Sequence, residues 1–237
     1  MTVDGLLDAD LERVRSGSDY FARRLADLGE EDVAADSLLP GWTRGAVVAH
    51  VGYNAVALRR LCHWARTGEE TPMYASEEAR DAEIARGATL PLGELRELWT
   101  ESRDALDADW RDLPTEAWEA EVRTRQGRRL RARETVWMRA REVWIHGVDL
   151  AAGGSYRDFP PAVVDRLTAD VLEGWRAQGE AVDVVLHPTD RDRPTSVGSS
   201  GPTVSGSAAD LAQWLTGRGG GGLESSTGEL PALPRWL

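Results

Sequence analysis

Residues 39–66 read LPGWTRGAVVAHVGYNAVALRRLCHWAR, and this stretch decides the fold class. Leu39-Pro40-Gly41-Trp42 breaks what precedes it, and Thr43 is a natural N-cap. From Arg44 onward, apolar residues recur at helical spacing, at Val47, Val51, Leu58, Leu61 and Ala65, and Gly68 supplies the stop. A helix of this length with an apolar stripe needs other helices to cover it. His50 and Asn54 share the side of Val47 and Val51. The stripe therefore turns hydrogen-bonding groups toward the interior, where leaving them unpaired is expensive.

Working outward, the covering helices can be found. Before the break, Leu7, Leu11, Val14, Phe21, Leu25 and Leu28 step by fours and threes, with Ser18 in the gap. After it, residues 69–90 are polar, with a short helical stretch around 76–85. A third long helix is expected from Pro91, carrying Leu92, Leu95, Leu98, Trp99, Ala105, Leu106 and Leu113 before Pro114 stops it. Residues 119–130 read as extended around Val122, and a fourth helix spans about Arg131 to Ala152, ending at Gly153-Gly154. Residues 1–153 thus predict an all-α antiparallel four-helix bundle.

The run from Gly153 to Pro161 reads as a linker, and residues 160–237 as a small α+β domain. That domain is expected to hold a helix over 161–178 and an alternating strand at Val182, Val184 and Leu186. Two strand-like pieces follow within 193–206, then a last helix over 208–216 for which Ser207 and Asp210 fit a capping box.

Composition narrows the function. The chain has 237 residues, 41% hydrophobic and 29% charged, with a net charge of −12. That acidity excludes a phosphate-neutralising surface for nucleic acid and disfavours an anionic membrane face. Cys62 stands alone, so there is neither a disulfide framework nor a thiol-rich metal site. MTVDGLLDADLERV lacks the features of a signal peptide, and no run approaches the roughly 18 apolar residues of a membrane span. A cytoplasmic protein is expected, with a monomer as the expected state. Ten tryptophans beside two phenylalanines form a balance for which composition offers no physical account. No Gly-x-Ser-x-Gly, Walker or zinc-protease motif occurs, and Gly219–Gly222 lack the strand–turn–helix of a dinucleotide fingerprint.

One constellation could carry chemistry. Glu142 and His146 are one turn apart on the fourth helix, on a face shared with Thr135, Met138 and Asp149. With His50 they make two imidazoles and a carboxylate, a set that binds Zn²⁺ or a similar divalent ion while leaving a coordination position open. Glu-x-x-x-His alone is a weak signal that more often marks a surface pair; the inward His50 from a second helix strengthens it. Asp149 could orient His146 or be an ordinary helix-end charge, and Asn54 is equally open. His63 reads as surface or packing, and His187 as a loop residue before Pro188. Arg218 is either a cation at a helix end or a clamp for a substrate carboxylate.

LPGWTRGAVVAHVGYNAVAL with His50, and REVWIHGVDL with Glu142, His146 and Asp149, resemble the two ligand segments of the mycothiol-dependent maleylpyruvate isomerases. MYASEEARDAEIARGA, LAQWLTGRGGGGL and LPALPRWL fit the same family, so the resemblance spans nearly the whole chain. It implies a DinB-like metal-binding bundle, a small domain similar to sterol carrier proteins, and His50, Glu142 and His146 as ligands of a bound zinc. Arg218 falls where the family uses an arginine near substrate. The implied reaction converts maleylpyruvate to fumarylpyruvate. Metal-activated mycothiol thiolate adds to the double bond, which then rotates as a single bond before the thiolate leaves. The nearest alternative is a mycothiol S-transferase that conjugates electrophiles on the same fold and metal. A second is a non-catalytic metal or small-ligand binding module, which would need a fourth protein ligand such as Asp149.

Overall fold

In the computed structural model, which describes residues 3–180, 182–192, 195–197 and 200–236, Thr43 caps α2 (Arg44–Thr67). Its Oγ1 accepts from Ala46 N at 3.1 Å, and Gly68 ends the helix in the left-handed region at φ 76°. Three further long helices complete the bundle: α1 (Val3–Ala26), α4 (Leu92–Arg111) and α5 (Glu134–Asp149). The main seams are α1 on α5, α2 on α4 and α2 on α5, with the short α3 (Glu77–Gly87) against α2. Val14, Phe21, Leu25, Val47, Val51, Leu58, Leu61, Leu95, Leu106 and Val143 are buried along these seams. Each full burial contributes about 1.5–3 kcal/mol before the cost of ordering the chain.

The α1–α5 seam is set by absent side chains. A Cβ on Gly17 would stand 2.6 Å from Val143 Cγ2, and one on Gly147 2.7 Å from the Tyr20 ring. Tyr20 cannot yield, being buried and stacked on Trp144 with ring centroids 5.0 Å apart. The tryptophan excess also finds an account. Seven of the ten (Trp99, Trp110, Trp137, Trp144, Trp175, Trp214 and Trp236) are buried, where an indole fills space and can still donate a hydrogen bond. Trp144 uses its N–H to reach across the seam to Arg13 O at 3.0 Å.

Among the helix boundaries that differ from the sequence expectation, two have identifiable reasons. The fourth long helix starts at Glu134 rather than Arg131, because Arg131 belongs to a hairpin of β1 (Glu121–Arg123) and β2 (Arg129–Arg131). Val122 faces Leu130 in that hairpin, both buried, and Glu134 Oε1 accepts from Arg131 N at 2.9 Å. The third long helix ends at Arg111, short of Pro114, which instead opens a 3₁₀ turn over Thr115–Glu119.

Contacts divide the chain into Met1–Gly154 and Ser155–Leu237. In the second unit the expected linker is partly structured. Tyr156–Asp158 form a 3₁₀ turn capped by Ser155, Tyr156 and Phe159 are buried, and the Tyr156 hydroxyl bonds Thr216 Oγ1 at 2.8 Å. Then come α6 (Pro161–Gln178), β3 (Val184–Pro188), β4 (Thr195–Val197), β5 (Thr203–Gly206), α7 (Ala208–Leu215) and β6 (Glu224–Ser225). The sheet order is β4-β3-β5-β6, with β3 and β5 parallel and both outer strands antiparallel to their neighbours. Of the stretch 193–206, residues 193, 194, 198 and 199 lie outside the described residues. Val182 precedes β3, whereas His187, expected in a loop, is a strand residue paired with Ser205. Trp175, Val184, Leu186, Val204, Leu211 and Leu215 form this unit's core. Ser207 caps α7 by accepting from Asp210 N at 3.1 Å, but the Asp210 carboxylate turns to Arg157 instead of closing the box. Among the described residues, no helix is long and apolar enough to cross a membrane.

Candidate metal centre

The α2–α5 seam brings His50, Glu142 and His146 together, with one potential ligand atom from each lying within 4.8 Å of the others. His50 Nε2 stands 2.9 Å and His146 Nε2 3.1 Å from the same oxygen, Glu142 Oε2. Asp149, one turn further along α5 and completely buried, accepts from His146 Nδ1 at 2.8 Å. The carboxylate therefore stands behind His146 rather than beside Glu142. It fixes the tautomer in which Nδ1 carries hydrogen and Nε2 turns toward the cluster. His50 is held differently. Its Nδ1 is buried with no hydrogen-bond partner among the described residues. The ring is positioned by packing, with the nearly perpendicular rings of Trp42 at 5.6 Å and His146 at 4.9 Å between centroids.

Trp42 reaches this place because the loop before α2 is fastened down. Leu38 N donates to Asp149 O at 2.9 Å, and Ser37 N to Trp42 O at 2.9 Å. The end of α5 and the start of α2 are thereby tied at the level of the cluster.

Burial opposes a charge on His146, yet the hydrogen bonds to Asp149 and Glu142 outweigh it and raise the imidazole to about 9. Burial lowers His50, against the pull of Glu142. Burial alone would raise Glu142, but two facing imidazoles hold it well below the usual carboxylate range. His50 Nε2, His146 Nε2 and Glu142 Oε2 converge on one small space. A divalent cation suits that space, so the residues fit a metal. The side chains of His50, Glu142 and His146 keep 10%, 20% and 12% of their surface exposed, so the cluster opens to solvent. No fourth His, Cys, Asp or Glu joins the group among the described residues.

Other sequence candidates fall elsewhere. His63 and His187 are exposed. Cys62 is buried in α2, and burial together with the Asp109 charge pushes its thiol up to about 12, which removes it as a nucleophile. Arg218 belongs to the second unit, where it is half-buried and its Nη1 donates to Thr216 O at 2.7 Å.

Three neighbours escaped sequence reasoning. Tyr74 is pushed up to about 12 by burial and by Glu142. Trp42 was legible only as part of a helix break. Arg139 lies one turn before Glu142, at the spacing that continues through His146 and Asp149. That spacing was the available signal, masked because an arginine in a helix usually faces water. Arg139 is instead buried, and its Nη1 donates to Asn54 Oδ1 at 2.9 Å. Asn54 therefore meets Arg139 rather than a ring nitrogen of either histidine.

Two family models match the chain in order: the mycothiol maleylpyruvate isomerase N-terminal domain over residues 14–151 and the corresponding C-terminal domain over 158–235. Among solved structures, the crystal structure of the mycothiol-dependent maleylpyruvate isomerase is 44% identical, covers 100% of both chains and superposes with a TM-score of 0.92. A histidine-to-alanine mutant of that isomerase is 43% identical with the same coverage and TM-score. No curated protein matches.

Proposed function

The chain belongs to the mycothiol maleylpyruvate isomerase family, and on that footing we propose that it converts maleylpyruvate to fumarylpyruvate with mycothiol as the thiol cofactor. The observation that carries the reading is the convergence of His50 Nε2, His146 Nε2 and Glu142 Oε2 at a partly exposed point, with His146 oriented from behind by Asp149. We assign these three side chains as ligands of one divalent ion, zinc being the expected metal. When bound, such an ion lowers the pKa of a coordinated thiol and leaves a position for it. Mycothiol supplies the sulfur nucleophile that adds to the double bond and later leaves.

The chain's own residues contribute placement and charge. Asp149 keeps His146 Nε2 free of its own proton when the ring is neutral, as ligation requires. Trp42 packs nearly perpendicular to the His50 ring and limits its rotation. Arg218 is assigned one substrate carboxylate, for which a planar guanidinium is the matching partner. Cytoplasmic residence belongs to the same proposal, since a lone reduced thiol such as Cys62 suits a reducing compartment.

Two features speak against a closed, non-catalytic metal module: Asp149 is engaged on the far nitrogen of His146, and the cluster is exposed. The deciding experiment follows maleylpyruvate by absorbance with the metal-loaded protein, with and without mycothiol. Isomerisation that disappears without the thiol, or after chelation, is the expected result. Metal binding without isomerisation, joined to conjugation of mycothiol to added electrophiles, would replace this reading with the S-transferase. Arg218→Ala is expected to lower kcat/KM for maleylpyruvate by at least about tenfold, the order of one charge-assisted contact. Unchanged kinetics would return Arg218 to a helix-end cation.

A further inference from the structure

Arg139 has no part in the chemistry proposed above, yet it occupies one of the costlier positions in the bundle. The side chain is 1% exposed. From α5 it crosses to α2, where Nη1 donates to Val51 O at 2.7 Å and to Asn54 Oδ1 at 2.9 Å. Its guanidinium carbon lies 5.4 Å from the ring centre of Trp99 on α4. One arginine therefore ties three helices. The attachment points are not scattered: Val51 follows His50 directly, Asn54 lies one turn beyond it, and Arg139 lies one turn before Glu142.

Stability alone gives a poor reason for this arrangement. Withdrawing a guanidinium from water costs several kcal/mol, and a well-packed apolar side chain of similar volume often holds such a seam at least as well. Arg139 does not even use all its donors, since Nη2 is buried without a hydrogen-bond partner among the described residues. What the guanidinium supplies is direction. Both bonds leave Nη1, whose two hydrogens are held in the guanidinium plane, and they fix the rotation and axial register of one helix against the other, which an apolar contact leaves looser. Two nitrogens on different helices and one carboxylate oxygen must converge to within about 0.5 Å of the right geometry if they are to share a metal.

We infer that Arg139 is a positioning residue for the candidate metal centre, setting the separation of His50 from Glu142 through its bonds to Val51 O and Asn54. The inference rests on the proposed ligand set, so its test must separate the two. Co²⁺ serves as the probe, added to the full-length protein and read by its visible d–d absorption and by titration, with circular dichroism and thermal melting as checks of folding. His50→Ala is the control for the ligand set and is expected to lose the Co²⁺ spectrum. Arg139→Met is expected to fold with an undiminished melting temperature, to bind Co²⁺ at least about tenfold more weakly, and to shift the absorption bands. Arg139→Lys, which keeps the charge without the fork, is expected not to restore them. Asn54→Ala, which removes one acceptor and keeps the arginine, is expected to move affinity and bands the same way by less. It carries the test should Arg139→Met fail to fold.

Wild-type Co²⁺ affinity and bands in a folded Arg139→Met or Asn54→Ala, with the spectrum lost in His50→Ala, would overturn the inference and leave the ligand set standing. Full restoration by Arg139→Lys would overturn it too, by showing that charge alone matters. A Co²⁺ spectrum retained in His50→Ala would remove the ligand set and the inference with it.

Discussion

Two charged clusters in this protein share nearly the same distances and almost nothing else. In the bundle, His50, Glu142, His146 and Asp149 meet at 2.8–3.1 Å on the α2–α5 seam, mostly shielded from water. In the second unit, Arg157 Nη2 meets Asp210 Oδ2 at 2.8 Å, but the arginine side chain is 67% exposed. Solvent screens the second pair and competes for it, so its short distance carries little free energy. In the first cluster the groups face one another with only 10–20% of the ligand side chains open to water, and each shifts the protonation of the others. Contact length is thus a poor guide to consequence. What separates the clusters is that the bundle gathers several buried titratable groups, whereas the second pairs one buried carboxylate with a solvent-exposed guanidinium that fastens a turn to a helix.

The sharpest way to break this comparison is at the ligands. His50→Ala and His146→Ala are each expected to abolish metal retention while the bundle stays folded, as measured by metal analysis and circular dichroism. Normal metal content in both variants would reduce the first cluster to an ordinary buried ion network. The next effect concerns orientation. Asp149→Asn cannot accept the proton from His146 as a charged group, and metal affinity is expected to fall by about 10–100-fold. An affinity equal to wild type would show that packing alone aims His146, as it aims His50.

How far the sequence anticipated this divides along the same line. Caps and stripes were legible, because Thr43, Gly68 and Ser207 act on neighbours a few residues away. So was the shared face of Glu142 and His146, since helical spacing alone puts them one turn apart. Residues 119–130 were legible as extended, but strands of three residues are too short for periodicity to show that they pair as a hairpin whose second strand runs on to Arg131. Asp210 illustrates the limit well. Its local pattern with Ser207 predicted a capping box, but Arg157, distant in sequence, offers the carboxylate two donors in place of one backbone N–H. Arg139 and Trp42 were hidden for the same reason: their roles exist only once α2 lies against α5.

The smallest expected effect belongs to the Arg157–Asp210 pair, whose arginine side is open to water. The bond to Arg157 holds the Asp210 carboxyl below its ordinary value of 3.8. A depressed folded-state pKa contributes stability that is present above about pH 4 and lost as pH falls through the folded value. Asp210→Asn should therefore melt slightly below wild type at neutral pH, with the difference shrinking under strong acid. A large, pH-independent loss would mean that the carboxylate matters to α7 for reasons other than its charge.

Gly147 leads to a different kind of consequence. It follows His146 directly, contributes no functional group, and has room for nothing larger than hydrogen before Tyr20 intervenes. Any side chain there must displace α5 or Tyr20, and the nearest feature to move is the imidazole next door. A survey of inactive variants that scored every position would rank Gly147 among the active-site residues and find no tolerated replacement. Such a map would record sterics as though they were chemistry, and an evolving lineage would meet the same barrier: this position is frozen by the thickness of a tyrosine ring.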